Sequence, residues 1–370
     1  MKKALATMFQ IVVTVAILYY LFHDPQVRAK MATTLRNADA RWLFLGFIMY
    51  GLVEVIAGWR WQLLLRVQGI ELGWVRLCCL LLIGVFFNFI IPGGTGGDVI
   101  KTFYLLKETP GKRTVALLSV LVDRLVGLIA LSVFAAVLII ADWQWLMSSP
   151  VVDKFVWPAI IILGGSFGGL HGIYIMTSRG WIHRLPARFP GRDKLAELAL
   201  AYNLYGRSWK PTLSAFGLSF LAHLGYFAVF YCAGQALRHD NVRMPTFAEM
   251  CAIMPIVNTI SAMPISIGGL GVREGLFQVF LNHLCSVPVS DASLVSLCGY
   301  FLTFFWGIIG GVVYLFYRPS DHARLRDIRS EVAELEHTVA EEEVALETAE
   351  VAVHGASGGG SKGEPDKAKR

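Results

Sequence analysis

The chain has 370 residues, 55% of them hydrophobic and 16% charged, with a mean hydropathy of +0.56. A soluble domain carries about 25% charge, so a soluble globular enzyme, a disordered chain, a collagen and a disulfide scaffold are excluded in favour of a polytopic α-helical membrane protein. The net charge of +6 divides into +10 over residues 1–317 and −4 over residues 318–370, and its basic residues stand between apolar runs, a pattern that suits anionic lipid headgroups and argues against nucleic acid.

Met1-Lys2-Lys3 opens an apolar run that ends at Phe22. It mimics a signal peptide, but no small-x-small cleavage site precedes the charged stretch 23–41, so it reads as an uncleaved first span. Crossing a bilayer takes about 20 residues. The segments 4–22, 42–65, 114–141, 155–177, 211–236 and 292–317 reach that length. Two further apolar stretches are broken. Pro92-Gly93-Gly94-Thr95-Gly96-Gly97 interrupts 77–106, and Pro264 with Gly268-Gly269-Leu270-Gly271 interrupts 249–286.

The positive-inside rule sorts the connections. Lys2 and Lys3, Arg66 and Arg76, Lys101 to Arg113, the basic stretch 179–210 and the arginines from Arg318 onward mark the inside, so both termini are expected to be cytoplasmic. Asp142 and Asp153 mark the outside. Only 23–41, with Arg28, Lys30, Arg36 and Arg41, breaks the alternation. The stretch 77–106 then has inside flanks and 249–286 has outside flanks. Each is expected to be a hairpin that enters and returns on one side. The fold class that follows is an all-α polytopic membrane protein of six full spans plus two Gly/Pro-broken re-entrant hairpins. Its halves, about 1–141 and 155–317, form an inverted repeat. Beyond residue 317, apolar residues at three- and four-residue spacing predict an acidic cytoplasmic helix over 318–354, and 355–370 reads as disordered.

Four constellations carry chemistry. The first is Asn88 with Gly93, Gly94, Gly96, Gly97, Asp98 and Lys101. Glycines bare the backbone, and the helix start after them offers amide groups to an anionic headgroup; the alternative is a hinge with Asp98 as its cap. The second repeats the first in kind: Asn258, Pro264, Ser266, Gly268, Gly269, Gly271, then Arg273 and Glu274. Paired breaks in two halves point to a transporter's binding site, and the Arg273 fork is the best phosphate partner; the alternative is a structural pair with Glu274 or Asp98. The third is Asp123-Arg124, ionisable at membrane depth. Adjacent residues on a helix point in different directions, so each needs its own partner. The fourth is Glu54 with Arg60, too far apart in sequence to pair along one helix face. Arg60, flanked by Trp59 and Trp61, reads as interfacial; Glu54 is the candidate ion or proton relay. The six cysteines read as buried small hydrophobes. No cofactor fingerprint or metal-ligand cluster stands out, and no catalytic residue or cofactor is expected.

Taken together, Pro92 to Lys101, Ser119-Val-Leu-Val-Asp123-Arg124-Leu-Val-Gly127 and Pro264 to Gly275 resemble the flippase-like family, also called the lysylphosphatidylglycerol synthase transmembrane region, over roughly residues 5–317. The resemblance implies an integral inner-membrane protein of bacteria or archaea concerned with lipids or polyprenyl-linked glycans. The implied motif residues are the first break with Asp98, the Asp123-Arg124 pair, and the second break with Arg273-Glu274; Lys101 stands where many members carry Arg. The synthases add a soluble aminoacyl-transfer domain. Here the acidic helix follows instead, so the chain is not expected to make a lysyl-lipid itself.

The expected function is a lipid translocase moving an anionic or glycosylated headgroup between the two halves, with membrane lipids as its partners. The alternatives are a small-solute or ion-coupled transporter on the same frame, and a membrane scaffold. A scaffold would hold a lipid-modifying enzyme through the C-terminal helix; on any of these readings that helix is also where a second copy of the chain would join.

Overall fold

The structure, a computed structural model, describes residues 2–91, 96–109, 113–178, 205, 208–239, 242–263 and 265–317. The expected helix and tail at 318–370, most of the basic stretch 179–210, and Gly93, Gly94 and Pro264 lie outside the described residues. The described secondary structure is helical throughout. Its helices are α1 (Lys2–Phe22), α2 (Pro25–Arg36), α3 (Ala40–Val67), α4 (Trp74–Ile90), α5 (Gly96–Glu108) and α6 (Arg113–Ala141). They continue with α7 (Trp143–Leu146), α8 (Pro150–Ser178), α9 (Trp209–Ala236), α10 (Phe247–Ser261), α11 (Val272–Cys285) and α12 (Val289–Phe316).

Five helices, α3, α6, α8, α9 and α12, are long and apolar enough to cross a membrane. They coincide with five of the six expected spans. The sixth, 4–22, is α1, whose apolar stretch is Val12–Leu21. The broken stretches form the shorter pairs α4/α5 and α10/α11. At 17 residues α4 is about 25 Å long, and at 13 residues α5 is about 20 Å. Neither comfortably crosses a hydrocarbon core of about 30 Å.

Contacts at the two ends of the bundle show how each pair runs. Arg76, at the start of α4, donates to Glu108, at the end of α5, at 2.8 Å. The same carboxylate accepts from the Tyr317 hydroxyl just past α12, at 2.8 Å. The first pair therefore enters and returns at the end of the bundle where α12 finishes. At the opposite end, the Asp39 amide donates to the Ala236 carbonyl at the end of α9, and Thr34 of α2 donates to Asp291 at the start of α12. The second pair begins after α9 and ends before α12, so it enters and returns at that opposite end.

The stretch 23–41 is mostly the helix α2, not a loop. Asp24 accepts from the Gln26 amide at its start, and Met31 is buried against the bundle. Arg28, Lys30 and Arg36 sit on this short helix, which packs on α12, and Arg41 lies in the first turn of α3.

Small residues let the helices approach closely. On α3, a Cβ at Gly46 would lie 3.2 Å from the Cys232 Cβ of α9, and Gly51 gives room to the Trp306 ring of α12. A Cβ at Gly97 would lie 2.0 Å from the Gly84 carbonyl oxygen, and one at Gly310 2.0 Å from that of Leu82. So α4 is clasped between α5 and α12, backbone against backbone. One apolar cluster, with Trp61, Leu77, Phe87 and Phe103, surrounds the first broken pair. A larger one, with Phe227, Phe230, Phe277 and Phe280, surrounds the second.

Candidate functional site

Between the two clusters lies a cavity of about 380 Å³. Its walls come from α3 (Tyr50, Glu54, Arg60), α4 (Asn88), α5 (Asp98, Lys101) and α6 (Asp123, Arg124). Tyr226 of α9, Gly268 and Arg273 of the second break, and Tyr300 and Thr303 of α12 complete them.

Asp123 organises the first half of the site. It is 4% exposed, and Arg60 grips it with both ends of its fork, Nε to Oδ1 at 2.8 Å and Nη2 to Oδ2 at 3.1 Å. Lys101 Nζ approaches Oδ2 at 3.6 Å and lies 3.7 Å from the centre of the Trp61 ring. One carboxylate is thus shared by two cations, with the ring face lending further negative potential. Arg60 Nη1 also donates to Ser219 of α9 at 3.2 Å, and a Cβ at Gly127 would come within 3.3 Å of that nitrogen. The glycine one turn after Asp123 makes room for the guanidinium.

Arg124 points elsewhere, as the 100° step between neighbours on a helix requires. It forms a two-pronged ion pair with Asp98, with Nε–Oδ2 and Nη2–Oδ1 both at 2.6 Å. Arg60 therefore does not stay at the interface, as the flanking tryptophans led one to expect. It turns inward because Asp123, desolvated on α6, offers a bidentate partner worth more than the headgroup region can supply.

The second half is built on Arg273, which is 5% exposed. Its Nη2 donates to Glu274 Oε1 at 3.3 Å and its Nε to Ser296 Oγ at 3.3 Å. Its guanidinium carbon lies 4.3 Å from the centre of the Tyr300 ring. Ser296 passes its own hydrogen to Glu274 Oε1 at 2.9 Å, and Glu274 Oε2 accepts from the Gly271 amide at 2.6 Å. Glu274 thus does two jobs: it closes the first turn of α11 and neutralises Arg273 from behind. Gly268, Gly269 and Gly271 all have positive φ, from 59° to 84°, a conformation that side chains with a Cβ resist.

Of the residues singled out in the sequence, Glu54, Asn88, Asp98, Lys101, Asp123, Arg124, Gly268 and Arg273 line one cavity. Asn88 also accepts from the Gly97 amide at 2.9 Å, pinning the start of α5. Gly96, Gly97, Gly269 and Gly271 shape the breaks. The Asn258 carbonyl accepts from the Ala262 amide at the end of α10. Ser266 is buried, and its hydroxyl has no hydrogen-bond partner among the described residues. The sequence reading placed Arg60 at the interface, where the structure puts it in the cavity wall, and it missed Tyr50, Tyr226, Tyr300 and Ser296. The aromatic and hydroxyl residues carry no signal in an apolar run until the helices are paired.

A family model described as the lysylphosphatidylglycerol synthase TM region matches residues 7–311. A UPF0104 membrane protein of Methanothermobacter thermautotrophicus is 25% identical over 303 residues, covering 76% of this chain and 85% of its own. A second from that organism is 22% identical over 291 residues, covering 72% and 82%. A UPF0104 membrane protein of Pyrococcus horikoshii is 26% identical over 136 residues, a match that spans 36% of this chain and 39% of that protein's length.

Proposed function

From the chain's membership of the lysylphosphatidylglycerol synthase TM region family, we propose that it is a lipid translocase of the cytoplasmic membrane. An anionic or glycosylated headgroup passes through the cavity between the two halves while its acyl or prenyl chains stay in the bilayer. The observation that carries this reading is the convergence of four cations, Arg60, Lys101, Arg124 and Arg273, on one cavity at the meeting of two broken helix pairs. Charges at membrane depth cost roughly 2.5–3.5 kcal/mol each on insertion scales. A purely structural core gains nothing from these four and the carboxylates paired with them that apolar packing would not supply. A cavity that must strip water from a phosphate needs them, because the carboxylates hold each cation in place until a phosphate oxygen competes for it. Arg273 is the principal anion contact, since Glu274 and Ser296 fix its Nη2 and Nε from behind while Tyr300 supports its face. Lys101, sharing Asp123 with Arg60, is the second.

The test is transfer of a fluorescent anionic phospholipid across proteoliposomes, read by chemical quenching of the outer leaflet. Arg273→Ala removes one charge-assisted contact, and transfer should fall by about tenfold to a hundredfold while the protein still elutes as a folded species. Full transfer by that folded variant would remove Arg273 from the site.

A further inference from the structure

The ion pairs of the cavity leave one carboxylate over. Asp123 serves Arg60 and Lys101, Asp98 serves Arg124, and Glu274 serves Arg273. Glu54 lines the same cavity, yet no ion pair joins it to a cation among the described residues. Tyr50, one turn back on α3, lines the cavity beside it. The charged and titratable groups facing it from the packed elements are Arg60 on its own helix, Cys78 of α4, Lys101 of α5 and Arg124 of α6. Beyond Tyr50 lies Tyr226 of α9, and Tyr300 of α12 stands across the cavity. The three cations among them are each committed to another carboxylate.

The charge count of the cavity then turns on this one group. With Glu54 neutral, the pairs sum to one positive charge, the surplus of Arg60 and Lys101 over Asp123. With Glu54 ionised, the sum is zero. An anion drawn out of water is held only where a matching positive charge awaits it.

We infer that Glu54 is a proton site whose occupancy is coupled to the anion in the cavity: one proton enters with one anionic headgroup and leaves with it. An O–H bond forms on a Glu54 carboxylate oxygen at the expense of a hydronium from bulk water, and it breaks again on release. Coupling of this kind is reciprocal: the proton favours the anion as much as the anion favours the proton. The inference rests on the reading of the cavity as an anionic-headgroup site.

The experiment is isothermal titration of the detergent-purified full chain with dioctanoyl phosphatidylglycerol, between about pH 5 and pH 9. It is run in buffers of differing ionisation heat, so that proton uptake is read directly. The wild type should take up close to one proton per lipid bound, with Kd weakening up to about tenfold per pH unit on the alkaline side. Glu54→Gln should bind with no proton uptake and a flat profile. Tyr50→Phe, which keeps the carboxyl, should retain the uptake but move its pH range. Binding by the wild type without proton uptake overturns the inference and leaves the headgroup reading intact. Unchanged uptake in Glu54→Gln, or an unmoved pH range in Tyr50→Phe should Glu54→Gln fail to fold, overturns it as well. Failure of the wild type to bind the lipid at any pH would sink the headgroup reading itself.

Discussion

At the scale of single residues, Asp123 decides the most. Two cations depend on its carboxylate, and both are desolvated with it. Replacing it with Asn leaves Arg60 and Lys101 buried without a counter-charge, a change that costs about 3–5 kcal/mol for a single broken buried pair. Asp123→Asn should therefore lower the thermal midpoint of the purified protein, and Asp123→Asn combined with Lys101→Met should recover part of the loss. Equal midpoints for the two variants would show that Lys101 does not depend on Asp123. Much of this was legible beforehand. Adjacent Asp and Arg on a helix must look in different directions, and the structure gives each its own partner, on α3 and α5. The inward turn of Arg60 was not legible. Its flanking Trp59 and Trp61 mimic an interface belt, and its partner lies 63 residues away. Trp61 in fact serves as the face under Lys101.

At the scale of elements, the broken helix pairs depend on backbone contact. Gly97→Ala would drive a methyl group against the Gly84 carbonyl and the Asn88 amide, with 2.0 Å and 2.7 Å available. The Asn88 side chain can turn aside, but the Gly84 carbonyl is backbone and cannot, so the hairpin must open. The expected cost is about 1–3 kcal/mol, visible as a lower melting temperature and reduced yield. Gly164→Ala on α8 meets nothing within 4 Å and should melt like the wild type. A matching loss there would mean that the assay responds to any methyl group in the membrane region. The hairpins themselves could be read from the sequence, because the Pro and Gly breaks fall in stretches whose two flanks the alternation of loop charge puts on one side. Helix α2 could not: its apolar contacts, Val27 and Met31, are too few to show a period, and its basic residues read as those of a loop. Only its docking against Asp291 and the end of α9 reveals it.

At the scale of the whole molecule, the two halves are joined by α3 against α9 and by α12 against both broken pairs. The rim contact of Arg76, Glu108 and Tyr317 ties the first hairpin to the end of α12. Burial and the neighbouring Glu108 carboxylate push the Tyr317 phenol well above its usual range, so it remains a donor to Glu108 throughout neutral pH. Arg76 is largely exposed, and its pair should contribute at most about 1 kcal/mol. Tyr317→Phe should therefore lower the thermal midpoint more than Arg76→Ala; the reverse order would place the tie in the ion pair. The overall architecture follows from segment length and loop charge, which are local quantities. The cavity depends on which helices meet, and no local pattern reports that.

The two ends of α12 are fastened differently. Its first half is bonded to the second hairpin through Ser293 to Gln278 and Ser296 to Glu274. Its second half meets α4 through Gly307, Gly310 and Gly311, smooth faces without hydrogen-bonding side chains. The helix thus joins the two hairpins: its serines bond its head to the second, while Tyr317 on Glu108 holds its far end to the first and Trp306 on the Phe47 carbonyl holds it to α3. Any rocking of the second hairpin is carried along it to the rim of the first.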